Sequence, residues 1–186
     1  MKKTLTAALA AMTALACGAT ASATTLITTL GGELVGIDDL VVGLEIYDVA
    51  FADGSCLDAF GTCDAGTPFA FDNAGDAISA ATAIDAALDG TSFDFAPDTV
   101  FGCSLASDCQ INVVYDADGA LFAAVGHVNL AGSVDFLNAA AFGLVTDDFA
   151  DQTFAVFTPD GVIPVPAAAL LFAPALAGLR AFGRRG

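Results

Sequence analysis

Between Thr24 and Leu179 the chain has no lysine and no arginine, while all 22 of its carboxylates fall between Glu33 and Asp160. That stretch therefore carries a formal charge of −22. Whatever fold it adopts cannot hold a carboxylate against a Lys or Arg within the span. The same gap excludes nucleic-acid binding through a basic footprint, which needs clustered Lys and Arg. High charge alone would favour disorder, but 56% of the 186 residues are hydrophobic and 13 Phe lie between Thr24 and Val162, enough apolar surface for a packed core. Asp outnumbers Glu twenty to two. Asp supports turns where Glu supports helices, so short strands joined by turns are expected.

The five basic residues sit at the two ends: Lys2, Lys3, Arg180, Arg184 and Arg185. Lys2 and Lys3 precede an apolar run from Leu5 to Cys17, and Ala21-Ser22-Ala23 supplies small residues for cleavage. This order predicts a signal peptide over residues 1–23, recognised by the Sec translocon and cut by signal peptidase after Ala23. A second reading takes Cys17 in Leu15-Ala16-Cys17-Gly18 as a lipoprotein site, where a lipid would anchor the N-terminus. At the other end, Ala167 to Leu179 is apolar but shorter than the ~20 residues of a free-standing spanning helix. Counted over 163–183, with Arg180 snorkelling, the segment reaches spanning length, its arginines on the cytoplasmic side. Residues 24–158 then form the exported globular domain and residues 159–186 the linker and tail, with about 140 residues between the ends making one domain.

Ile163-Pro164-Val165-Pro166-Ala167, an apolar run, and a basic tail of Arg180, Arg184 and Arg185 together resemble a PEP-CTERM sorting signal of the variety written VPLPA. Ile replaces the first Val and Val the Leu. The resemblance implies a diderm bacterium, an exosortase-type membrane enzyme that reads the proline motif, and transient anchoring in the inner membrane through the C-terminal helix. It also implies a destination in the cell envelope, on the surface, or in an exopolysaccharide-rich biofilm matrix. Gly43 to Ser55, GLEIYDVAFADGS, resembles a segment of ectodomains in the same family and carries no assigned chemistry.

After signal cleavage four cysteines remain, an even number in an exported chain, and two disulfides are expected. Pairing Cys56 with Cys63 and Cys103 with Cys109 closes two short loops. A four-cysteine zinc site is the alternative, but the spacings are wider than such sites use. Tyr47, Val49 and Phe51 alternate with Ile46, Asp48 and Ala50 and predict a half-buried strand over 44–52, turned by Asp53-Gly54. Ala77, Ala81, Ile84 and Leu88 share one face of a helix predicted over 76–89, with Gly90 to end it. Phe93 to Phe101 reads as extended. Ile111 to Tyr115 and Leu121 to Leu130 flank Asp118-Gly119 and predict a hairpin. Residues 135–144 are compatible with a short helix or a loop. Thr153 to Thr158 predicts a last strand that Pro159-Asp160-Gly161 breaks. The expected fold class is α+β: a mainly antiparallel sheet or sandwich with one covering helix.

Catalytic signals are sparse. His127 is the single histidine, in AAVGHVNL, and reads as a strand residue with a structural or surface role. No serine sits in a Gly-x-Ser-x-Gly turn, and nucleophilic catalysis of the Ser-His-Asp type needs a base beside its nucleophile. Secreted glycoside hydrolysis needs only two carboxylates at a set separation, and no pair stands out. Calcium takes several oxygen ligands. Candidate donors are Asp72 with Asn73 and Asp76, Asp116 with Asp118, and Asp147-Asp148 with Asp151, none in an EF-hand pattern. The expectation is a non-enzymatic exported surface or matrix protein associated with extracellular polysaccharide and without an obligatory cofactor. The alternative is a calcium-dependent adhesin or glycan-binding module.

Overall fold

The structure is a computed structural model that describes residues 23–118, 121–142, 146 and 149–162. Seven strands alternate with a group of helices: β1 (Thr25–Thr28), β2 (Leu34–Val42), β3 (Glu45–Ala52), α1 (Cys56–Phe60), α2 (Ala74–Leu88), α3 (Ser92–Phe95), a 3-10 turn (Pro97–Thr99), β4 (Asp108–Asp118), β5 (Leu121–Leu130), β6 (Phe136–Phe142) and β7 (Gln152–Val162). They form one sheet in the order β1-β2-β3-β7-β4-β5-β6. The α+β expectation holds. The sheet is mixed, because β7 runs antiparallel to β3 but parallel to β4. It is a single sheet and not a sandwich. Two three-stranded meanders, β1–β3 and β4–β6, are joined through β7.

Strand alternation gives the sheet two apolar faces. Tyr47, Val49 and Phe51 of β3, Ile111 and Val113 of β4, Val125 of β5 and Ala155 of β7 meet the buried face of α2, made by Ala77, Ala80, Ala81, Ile84 and Leu88. The alanines let the helix sit close to the sheet, where it reaches β2, β4 and β5. Truncating fully buried Ile84 to Ala would cost about 2–5 kcal/mol. The helix begins two residues earlier than the sequence suggests because Asn73 is its cap: the Asn73 side chain accepts from Asp76 N–H at 3.0 Å. Gly90, with φ 70°, follows the helix end in the left-handed region that favours glycine.

The opposite face carries a smaller cluster of Cys56, Val114, Ala117, Phe122, Ala124 and Phe154. Its cover is α1, begun by a Ser55/Asp58 capping box and tied by the Cys56–Cys63 disulfide. Phe60 packs edge-on against Phe69 and Phe154, with ring centroids 5.1 and 5.7 Å apart. The second disulfide joins Cys103 to Cys109 just before and inside β4. Both pairings match the expectation, and since all four cysteines are consumed, the four-cysteine zinc alternative is overturned.

Three stretches depart from the sequence reading. Residues 93–101 are not extended: the Thr91 side chain accepts from Phe93 N–H and caps α3, and Pro97 opens the 3-10 turn. Residues 136–142 form a strand paired to β5. Finally, Pro159 does not end the last strand. β7 continues to Val162, with Tyr47 opposite Pro159 and Ile46 opposite Gly161, so Asp160 is the extra residue of a bulge. The last strand therefore ends at Val162 and not at Thr158.

Candidate functional site

The inward-facing side of β5 becomes polar at its second half. Val125 points into the core beneath α2, and two and four residues on, His127 and Asn129 are both fully buried. Two carboxylates reach His127 from different elements. Asp85 comes from α2, one residue after the core residue Ile84, and places Oδ1 3.6 Å from His127 Nδ1. Asp135 comes from the turn between β5 and β6 and places Oδ2 3.5 Å from His127 Nε2. The Asp85 side chain is 46% exposed and that of Asp135 12%, so the cluster opens to solvent on the α2 side. Leu130 N–H donates to Asp135 Oδ1 at 2.8 Å and fixes which oxygen faces the imidazole. Asn129 Nδ2 donates to the Phe93 carbonyl at 2.8 Å.

Both contacts to His127 are longer than an N–H···O hydrogen bond, which falls at about 2.7–3.2 Å. Neither ring nitrogen has a hydrogen-bond partner, and neither does Asn129 Oδ1. Among the described residues these three are the only buried side-chain polar atoms left unpaired.

Burial dominates the protonation of the cluster. It pushes the His127 imidazole below its ordinary value, outweighing the upward pull of Asp135, Asp85 and Asp94. Burial also pushes the Asp135 carboxyl above the usual carboxylate value, opposed by the Leu130 N–H and by His127, and reinforced by the charges of Asp94 and Asp85. One atom from each of Asp85, His127 and Asp135 lies within 4.8 Å of the other two. Among the described residues this is the one group of three His, Cys, Asp or Glu side chains gathered so closely.

The acidic positions singled out in the sequence lie elsewhere. Asp72 and Asp76 flank the cap of α2, where Asn73 Nδ2 donates to Asp72 Oδ1 at 2.8 Å and to Asp76 Oδ2 at 2.7 Å. Asp116 and Asp118 are exposed near the end of β4, and Asp116 Oδ1 accepts from Ala117 N–H at 2.9 Å. Asp151 bridges to Cys103 through the backbone. Asp72 and Asp76 thus serve the helix cap and Asp116 the strand edge.

Asp147 and Asp148 lie outside the described residues, as do Ala21, the motif Ile163-Pro164-Val165-Pro166-Ala167, Arg180, Arg184, Arg185 and the candidate span over 163–183, while Ala23 is the first described residue and is exposed. Among the described residues no helix is long and apolar enough to cross a membrane.

His127 is on a strand as expected, but its two carboxylate neighbours were not singled out. The available signal was the alternation Val125, His127, Asn129, which aims a histidine into a core. No protein-family model, curated protein or solved structure matches this chain.

Proposed function

We propose that this chain is an exported, non-enzymatic surface or matrix protein. The signal peptide over 1–23 sends it through the Sec translocon, and an exosortase-type enzyme acts on the tail over 159–186. The protein is held transiently at the inner membrane through that tail, then released to the envelope or matrix of a diderm bacterium. One observation carries this reading. The four cysteines of the folded domain pair within two short loops, in keeping with an oxidising compartment, and β7 ends at Val162, immediately before the motif that starts at Ile163. A sorting enzyme would therefore meet its motif at the very edge of the folded domain.

A non-enzymatic role fits the surroundings of the one histidine: its near polar neighbours are carboxylates, not a hydroxyl or thiol that it could activate. With a formal charge of −22 and no Lys or Arg after processing, the domain would bridge to acidic polysaccharide only through cations.

The test is the intact mass of the protein recovered from its host. Mature wild-type protein should lack residues 1–23 and the basic tail. Replacing Pro164 and Pro166 with Ala should leave the tail in place. Equal masses for the two proteins would refute sorting.

A further inference from the structure

We propose that Asp85, His127 and Asp135 bind a single divalent transition-metal ion of the zinc class. The site is independent of the sorting signal and of the calcium donors considered from the sequence. Buried polar atoms in a folded protein are almost always paired. Here the unpaired ones converge on one side of β5, and His127 offers two bare nitrogens with no exposed surface.

The distances select a ligand over a hydrogen bond. Two ligands about 2.0–2.1 Å from one tetrahedral ion lie about 3.3–3.4 Å apart. The 3.5 Å between His127 Nε2 and Asp135 Oδ2 is close to that edge and too long for direct donation. Asp85 Oδ1 stands 3.6 Å from the other ring nitrogen, Nδ1, so an ion on Nε2 gains it as third donor, and an entrance, only when this half-exposed side chain turns toward the ion. Leu130 N–H orients Asp135 from behind, as outer contacts orient carboxylate ligands in metal sites.

Charge and chemistry agree. A divalent ion would balance the two carboxylates, and no Lys or Arg between Thr24 and Leu179 is available to do so. An imidazole with two carboxylates suits zinc and its neighbours, whereas calcium takes six to eight oxygens.

The full chain, stripped with EDTA, should be titrated with zinc chloride in about 0.15 M NaCl, which screens diffuse binding to the acidic surface. Because His127 is the only histidine, its ring nitrogens give a single set of NMR signals. Saturation at one equivalent, with a shift of those signals, is expected. Asp135→Asn and Asp85→Asn should each weaken binding at least about 10-fold, and calcium at the same concentration should leave the ring signals in place. Asp85→Asn changes a half-exposed helix position, so it tests the site even if Asp135→Asn fails to fold. Zinc uptake with unmoved ring signals, or no uptake at all, would overturn the proposal.

Discussion

The two faces of the sheet each bury a polar group, and they treat it differently. Beside α1, the side chains of Gln110, Asn112 and Gln152 meet across β4 and β7. Gln110 Nε2 donates to Asn112 Oδ1 at 2.7 Å, and Asn112 Nδ2 donates to Gln152 Oε1 at 3.4 Å and to the Thr153 carbonyl at 3.2 Å. No buried side-chain atom of this row is left unpaired. Even its space is reserved: a Cβ on Gly126 would come within 2.8 Å of the Gln110 side chain. Beneath α2, at the next residue along β5, His127 has company but no hydrogen bonds. The first group is complete without a ligand, as a polar network that supports a fold should be. The second leaves both ring nitrogens and Asn129 Oδ1 without a hydrogen bond.

That contrast can be broken from either side. The largest effect is expected from Asn112→Asp, which puts a carboxylate at a fully buried position in a domain without Lys or Arg. It should cost about 3–5 kcal/mol of unfolding free energy in a urea titration at neutral pH. A loss below 1 kcal/mol would mean that this face is wetter than it looks.

Next comes a matched pair. Asn112→Leu strands the amides of Gln110 and Gln152 and should cost about 1–3 kcal/mol. His127→Leu in metal-free protein removes two unpaired nitrogens and should stay within about 1 kcal/mol of wild type. Equal losses in the two variants would erase the distinction between the faces.

Added NaCl should raise the melting temperature of both the wild type and the His127→Leu variant by screening the acidic surface. A flat response would show that self-repulsion is unimportant. The smallest effect concerns Tyr47, a buried hydroxyl beneath α2 that does have a partner: it donates to Glu45. Burial first, then that bond and the charges of Glu45 and Asp76, push its pKa from 10.0 up to about 12. The folded state holds this proton more tightly than the unfolded chain. The resulting stabilisation is complete below pH 10 and lost as pH rises towards 12. Tyr47→Phe should remove that alkaline loss, and an unchanged slope in the variant would assign it elsewhere.

Local features were the legible ones. The β4–β5 hairpin follows from Asp118-Gly119 between alternating runs, and the face of α2 from Ala77, Ala81, Ile84 and Leu88. Both disulfides follow from proximity along the chain. Each depends on residues a few positions apart.

What stayed hidden was set by distant partners. Pro159 reads as a breaker, yet the β7 bulge absorbs it because β3 is there to pair on either side. Residues 93–101 look like a strand by their apolar pattern, but Thr91 and Pro97 favour short helical turns. Asp85 and Asp135 were two acids among 22. Only the packing of α2 on β5 makes them neighbours of His127, and no local pattern encodes that packing.

The position of β7 also governs the order in which the molecule can assemble. It is the last of the described strands in sequence and the central one in space. A chain delivered amino-terminus first presents two meanders whose facing edges, β3 and β4, both wait for Gln152–Val162. Until that segment arrives, each has unpaired backbone groups and an open core, the state in which chains are most prone to wrong pairings. Both edges are closed by this one segment. The 11 residues Gln152–Val162 are therefore the keystone of the sheet, closing both halves at once.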